Sequence, residues 1–330
     1  MTFFPQLVAG PIERPGNLMP QLKEMRNPDH SDIVKGSRKM LMGFFKKIVV
    51  ADLAAVYVNK IYNDPANAPA LGILIATVLF AVQIYCDFSG YTDIAIGCAR
   101  IMGIRLMQNF DRPYTARSIA EFWRRWHISL SSWFKDYLYF PLGGSRCPKV
   151  WMNYRNLMIV FLVSGLWHGA NWTFVIWGFL HGAYQIIGKL TKKRREALCD
   201  KLGVNRDGAA YAWFERIVTF ILVDFAWIFF RANSTADMGI LLRRLFTAWD
   251  MPLGDVFSHM GMTVVGALTV IFAILIMNQL DRLVNHYDVP DGSGAVVRRG
   301  TFVYMIWAIL FAWMILLQSG SAGTFIYFQF

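Results

Sequence analysis

Several stretches of this sequence are predominantly apolar runs: residues 68–85, 157–166, 172–187, 213–230, 262–277 and 302–317. A helix rises about 1.5 Å per residue, so crossing about 30 Å of hydrocarbon takes about 20 residues. The runs at 68–85, 213–230, 262–277 and 302–317 approach that length and are read as spans. Composition agrees, because 55% hydrophobic and 15% aromatic residues with a mean hydropathy of +0.37 are too apolar for a soluble globular protein. These observations predict an all-α, polytopic membrane protein of one domain over residues 1–330, with lipid as its immediate partner.

The charge is consistent with that reading. Thirty-three basic residues against 22 acidic give +11, which in a soluble protein would suggest nucleic acid. Here the charge falls mainly between apolar runs, as positive-inside bias and attraction to anionic lipids or substrates require. No basic-aromatic ribbon is present, so nucleic acid is not expected as a partner. The densest basic run, from Lys189 to Arg206, predicts a cytoplasmic loop, and three later crossings would then put the C-terminus outside. Cys86, Cys98, Cys147 and Cys199 form no C-x-x-C pair, so neither a disulfide framework nor a zinc site is indicated. The apolar start is short, lacks a basic beginning and runs into Pro11 and Glu13, unlike a cleavable signal. No 20–50 residue repeat is evident.

Between the apolar runs the pattern is mixed. Residues 1–35 hold Pro5, Pro11, Pro15 and Pro20 among charges and suit an irregular interfacial segment. Residues 39–58 read as an amphipathic or partly buried helix carrying Lys46, Lys47 and Asp52. Asp87, Ser89, Tyr91, Thr92 and Asp93 cluster at the end of the 68–85 span. That cluster suits either a capped helix end or the wall of a wet cavity. Residues 94–118 read as loop plus a short helix. Residues 118–140 read as one helix that places Arg124, His127 and Ser131 on one face by their i, i+3, i+7 spacing. Its tryptophans and tyrosines also suit an aromatic belt.

Two histidines carry the chemical interest. His168 lies in Gly165-Leu166-Trp167-His168-Gly169-Ala170-Asn171-Trp172, inside an otherwise charge-free run. An imidazole at bilayer depth costs several kcal/mol without partners or water, which makes it a candidate functional group. Its unperturbed pKa, about 6.5, suits proton transfer near neutrality. The alternative for each histidine is a hydrogen bond to a neighbouring helix and nothing more; His181, alone on an apolar face, fits that alternative best.

The segments Asp87-Phe88-Ser89-Gly90-Tyr91-Thr92-Asp93, Phe122-Trp123-Arg124-Arg125-Trp126-His127-Ile128-Ser129-Leu130-Ser131 and Gly165-Leu166-Trp167-His168-Gly169 resemble the membrane-bound O-acyltransferase family. Pro141-Leu142-Gly143-Gly144-Ser145-Arg146 resembles the branch of bacterial alginate O-acetyltransferase membrane subunits. The resemblance implies helices and re-entrant segments around a central catalytic cavity, in the bacterial cytoplasmic membrane. It implies His168 as the essential residue and His127 as a second functional histidine. It also implies that the segment like residues 3–12 follows further N-terminal helices, so the sequence resembles a family member shortened at the front.

Two function classes compete at this point. An acyltransferase would move an acetyl or short acyl group from a thioester, acetyl-CoA or an acyl carrier, to a hydroxyl of an extracellular polysaccharide such as alginate or of a partner protein. It needs a base and donors for the developing oxyanion. His168 would be the base, Asn171 would shape the site, and Arg124 with Arg125 would hold donor phosphates. No resident cofactor and no metal are expected, and the family resemblance implies a periplasmic acyl-transfer partner. The alternative is a transporter or channel whose permeation path the same residues line; the lack of paired, similar halves counts against it. H-E-x-x-H, P-loop and G-x-S-x-G signatures are absent, so protease, NTPase and serine hydrolase chemistry lack support. The C-terminal Phe325-Ile326-Tyr327-Phe328-Gln329-Phe330 reads either as an aromatic anchor or as a family-like tail in which Tyr327 relays the acyl group. A phenol with pKa near about 10 would need a base such as His168 for that.

Overall fold

The structure, a computed structural model, describes residues 3–7 and 9–286. Every regular element in the described residues is helical. In order they are α1 (Pro15–Lys23), α2 (His30–Phe45), α3 (Asp52–Tyr62), α4 (Ala70–Ile101), α5 (Ile119–Arg125), α6 (Ile128–Phe134), α7 (Val150–His168), α8 (Trp172–Lys201), α9 (Ala209–Arg231), α10 (Thr235–Thr247), α11 (Leu253–His259) and α12 (Val264–His286). Single π-helical stretches, Lys46–Ala51 and Lys135–Tyr139, extend α2 and α6. The expected run at 302–317 lies outside the described residues, as does Tyr327.

Among the described residues one helix, α4, is long and apolar enough to cross a membrane. A second span arises if α11 and the first part of α12, bent by 78° at their junction, are taken together as one broken crossing. Large apolar side chains are exposed along α9 and α12, among them Trp213, Phe214, Ile217 and Ile221 on the first and Val264, Leu268, Ile271 and Leu275 on the second. Faces of that kind require an apolar neighbour.

The chain divides into two compact units. The first, from residues 3–61, 78–107 and 251–286, is organised by buried charge. Lys46, only 2% exposed, places its Nζ 2.7 Å from Asp93 and 2.8 Å from Asp281. Lys39 reaches the other oxygen of Asp93 at 3.3 Å, and the Tyr85 hydroxyl donates to Asp281 at 3.0 Å. Lys47 pairs with Asp87 at 2.6 Å and with Asp52 at 2.9 Å. These partners correct the expectation for residues 87–93. The helix does not end near residue 85; it runs on to Ile101, and its carboxylates sit at mid-helix because lysines of α2 and the π-helical stretch neutralise them. The chain from 102 onward, not from 94, is the irregular connection. Gly90 serves close approach rather than flexibility: a Cβ on Gly43 would fall 2.4 Å from the Gly90 carbonyl oxygen, so the backbones touch and the lysines can reach α4.

The second unit, residues 62–77 and 108–250, holds α5 to α10. Side-chain caps start its helices: Ser118 accepts from the Glu121 N–H at 3.2 Å, and Ser234 from the Asp237 N–H at 3.0 Å. The fully buried Asn156 donates to the Leu142 carbonyl at 2.8 Å and pins the Pro141–Arg146 turn beside α7. The basic run after Lys189 is mostly not a loop. It is the last part of α8, which continues to Lys201, and only residues 202–208 connect to α9. Lysines and arginines are good helix formers, so charge density alone does not mark the helix end.

Candidate functional site

The site is built by α5 to α9 of the second unit. α7 and α8 pack along one another, and the contact is a glycine contact: a Cβ on Gly165 would fall 2.4 Å from the Phe174 carbonyl oxygen, and one on Gly178 2.3 Å from that of Phe161. Gly165→Ala is therefore expected to push the helices apart and lower stability by about 1–3 kcal/mol, the usual cost of overpacking. Thermal unfolding in detergent checks this, and an unchanged midpoint would show that the crossing gives way freely.

That close crossing sets His168, the last residue of α7, against rings of α8 and α9. Its centroid lies 5.0 Å from Trp167, 5.2 Å from Trp177 and 5.1 Å from Phe230, the last two nearly perpendicular. Edge-to-face packing of this kind fixes the orientation of an imidazole. His168 is half-buried, whereas His127 and His181 are 3% and 0% exposed. Of these three, His168 is the one an incoming group reaches most directly.

His127 is held differently. The predicted continuous helix over 118–140 is broken here: α5 ends at Arg125 and His127 sits at φ 45°, ψ 54°, in the left-handed region. A non-glycine residue pays about 1–2 kcal/mol for that conformation, and such residues persist where surrounding bonds impose them. The one-face arrangement of Arg124, His127 and Ser131 therefore does not exist. The bonds that impose the break run to the segment before α5: the Asp111 N–H donates to the Arg125 carbonyl and the Ile128 N–H to that of Asn109, both at 2.9 Å. They bring the Asn109 side chain, 0% exposed, to the Nδ1 edge of the His127 ring, with its Oδ1 3.1 Å from His127 Nδ1. The same oxygen accepts from the Ser129 N–H at 3.1 Å and from the Ser129 hydroxyl at 2.8 Å. His127 also lies within electrostatic reach of His168, and the two rings share Trp167, 6.3 Å from His127. In this turn between two short helices, burial holds the His127 pKa well below the usual imidazole value, and a charge on His168 would lower it further. His127 is thus a neutral imidazole at neutral pH.

His181 accepts a hydrogen bond from Trp123 Nε1 at 3.2 Å and stacks on Phe122. An indole N–H only donates, so Nδ1 of His181 is the acceptor and Nε2 carries the proton. That Nε2 and the Nε1 of the buried Trp177, 5.1 Å away ring to ring, find no acceptor among the described residues.

The remaining expected site residues separate. Arg124 is exposed and makes no ion pair with another described residue, so its guanidinium is available to an anion. Arg125 is committed to Glu121 at 2.7 Å and Thr115 at 3.1 Å, which ties α5 to the connection before it. Asn171 caps α8, its Oδ1 accepting from the Thr173 N–H at 3.1 Å. Asn109, Trp177 and Trp123 do not stand out as site residues in the sequence. Asn109 stands 18 residues before His127, and no local spacing marks it.

Comparison with known proteins completes the picture. The model of the membrane-bound O-acyltransferase family matches residues 1–229. The chain is 40% identical over 240 residues to a peptidoglycan O-acetyltransferase of Helicobacter pylori, covering 71% of this chain and 43% of that one. It is 36% identical over 300 residues to a probable alginate O-acetylase of Pseudomonas syringae, covering 89% and 54%. A teichoic acid D-alanyltransferase of Bacillus subtilis is 31% identical over 205 residues, covering 58% and 51%. The chain thus spans about half the length of these curated relatives. With the family pattern matched over more than half of the chain and across both histidine motifs, this chain belongs to the membrane-bound O-acyltransferase family.

Proposed function

We propose that this chain carries the transfer site of a multi-pass O-acyltransferase of the bacterial cytoplasmic membrane. It moves an acetyl or similar short acyl group from a thioester donor to a hydroxyl of a periplasmic or extracellular polysaccharide such as alginate, with a periplasmic partner protein taking part. The donor is acetyl-CoA or an acyl carrier. The observation that carries this reading is His168: half-buried, fixed by rings of three helices, beside a second buried histidine, within the part of the chain that the family pattern covers.

In the reaction the hydroxyl oxygen attacks the thioester carbonyl carbon, the C–S bond breaks and the thiol leaves. His168 takes the hydroxyl proton and returns one to the thiolate. The N–H groups of Trp177 and His181, unmet among the described residues, suit the oxygen that becomes negative in between, since buried donors count most where water is excluded. Arg124 suits a donor phosphate. Names of relatives favour an acetyl group and a cell-surface polymer as the kind of substrate pair.

Membranes carrying the chain, given a thioester with a labelled acetyl group, should place label covalently on polysaccharide; label that only crosses the bilayer would overturn the reading in favour of transport. In the same assay Arg124→Ala should raise the KM for the phosphate-bearing donor roughly three- to tenfold, in the range of a solvent-screened charge-assisted bond. Its effect should vanish with an analogue lacking the phosphates. Equal effects on both donors would remove Arg124 from donor binding.

A further inference from the structure

The hydrogen bonds around Asn109 determine which nitrogen of His127 carries the proton. The Ser129 main-chain N–H can only donate, and it points at one atom of the Asn109 amide at 3.1 Å. That atom must be the oxygen, because the amide nitrogen would meet the N–H donor to donor. The Ser129 hydroxyl, 2.8 Å from the same atom, adds a second donor. His127 Nδ1 lies 3.1 Å from this fixed acceptor, so it is the protonated nitrogen. A neutral imidazole has one N–H, and with Nδ1 protonated the lone pair is left on Nε2, on the side of the ring turned away from Asn109.

We infer that Asn109, oriented by Ser129, is a positioning residue that locks His127 in the Nδ1–H tautomer, so that Nε2 meets the site as a hydrogen-bond acceptor. The consequence is chemical. An acceptor nitrogen cannot hold a thioester carbonyl, which is itself an acceptor; it takes a group with a proton to give, such as the acceptor hydroxyl or the N–H of His168. The left-handed backbone at His127 and the two main-chain bonds from Asp111 and Ile128 keep ring and amide in register. The orientation also has a cost that nothing nearby offsets: Asn109 Nδ2, fully buried, finds no acceptor among the described residues. An amide free to turn would not leave a donor stranded, so the two Ser129 donors are the stronger influence.

This inference rests on the acyl-transfer reading only for its functional weight, and the test separates the two. The chain, labelled with 15N at its histidines and held in detergent or nanodiscs, is observed by NMR, with His127 assigned as the signal pair lost in His127→Gln. Wild-type protein should show a protonated Nδ1 and an unprotonated Nε2 at His127. Asn109→Ala should release the ring to the other tautomer and lower acetyl transfer about tenfold or more, as loss of a tautomer-fixing partner does elsewhere. Asn109→Asp keeps the acceptor oxygen and should keep both the Nδ1–H signal and much of the activity, which a merely structural role of the amide would not require. The other histidine signals report whether each variant is folded. An unprotonated Nδ1 in wild type, or an Asn109→Ala protein with the tautomer unchanged, overturns the inference whatever the activity. Undiminished transfer in His127→Gln would instead sink the functional reading of His127 and leave the tautomer assignment standing.

Discussion

His168→Ala should lower acetyl transfer by about 10²-fold or more, at nearly unchanged protein abundance in the membrane. The size follows from the role, since a positioned general base contributes about 10²–10⁴-fold, and 10²-fold corresponds to about 2.7 kcal/mol of barrier. The second half follows from the surroundings. His168 is half-buried at a helix end, and the rings of Trp177 and Phe230 that face it also pack on each other at 5.2 Å, so the cluster outlasts loss of the imidazole. His168→Gln sharpens the test, since it keeps polarity and similar bulk but cannot take a proton at neutral pH. Both variants should fail in the labelled-acetyl assay while eluting as folded protein in detergent. Near-normal transfer by either one would remove His168 from the proton-transfer step.

The helices and the two histidine motifs are legible in the chain because they depend on local signals: long apolar runs, glycines, aromatic clusters and a histidine where charge is otherwise missing. What is not legible depends on partners far away in sequence. The stop expected near residue 85 follows from Asp87 and Asp93, which would break an apolar span if they stood alone. They are neutralised by lysines about 40–47 positions earlier, such as Lys46 at 2.7 Å from Asp93, and periodicity within one window cannot reveal such a pair. The break at His127 is hidden for the same reason. Residues 118–140 contain no glycine or proline to mark a stop, yet main-chain bonds involving residues 109 and 111 break the helix, as tertiary contacts commonly do.

The site shows the same division. His168 is legible as an oddity of composition, and the exposed Arg124 by residue type. Arg125 and Asn171 are suggested by proximity in sequence, and each is committed to holding a neighbouring segment. Asn109 offers no signal at all until the fold places its oxygen between Ser129 and His127. The residue that sets a histidine's chemistry need not share a motif with it.

Lys46→Met should be the most destabilising single change in the first unit. Lys46 is 2% exposed and is the cation between two buried carboxylates, Asp93 at 2.7 Å and Asp281 at 2.8 Å, on two different helices. Methionine fills a similar volume, so packing is largely kept and the loss is electrostatic. Lys39 still faces Asp93 at 3.3 Å, but among the described residues Asp281 is left with the Tyr85 hydroxyl. Removing one partner of a buried ion pair costs about 3–5 kcal/mol, because the stranded charge must be solvated or protonated. For a chain of this size that is on the order of 10 °C in the unfolding midpoint. Removing the stranded charge as well, in Lys46→Met with Asp281→Asn, should restore much of the loss, since Asp93 keeps Lys39 as its partner and no carboxylate is left without a cation. Thermal unfolding of the variants in one detergent measures both effects. A midpoint within about 2 °C of wild type for Lys46→Met would mean that the cluster contributes little net stability, and failure of the double variant to recover would place the loss in packing instead of charge.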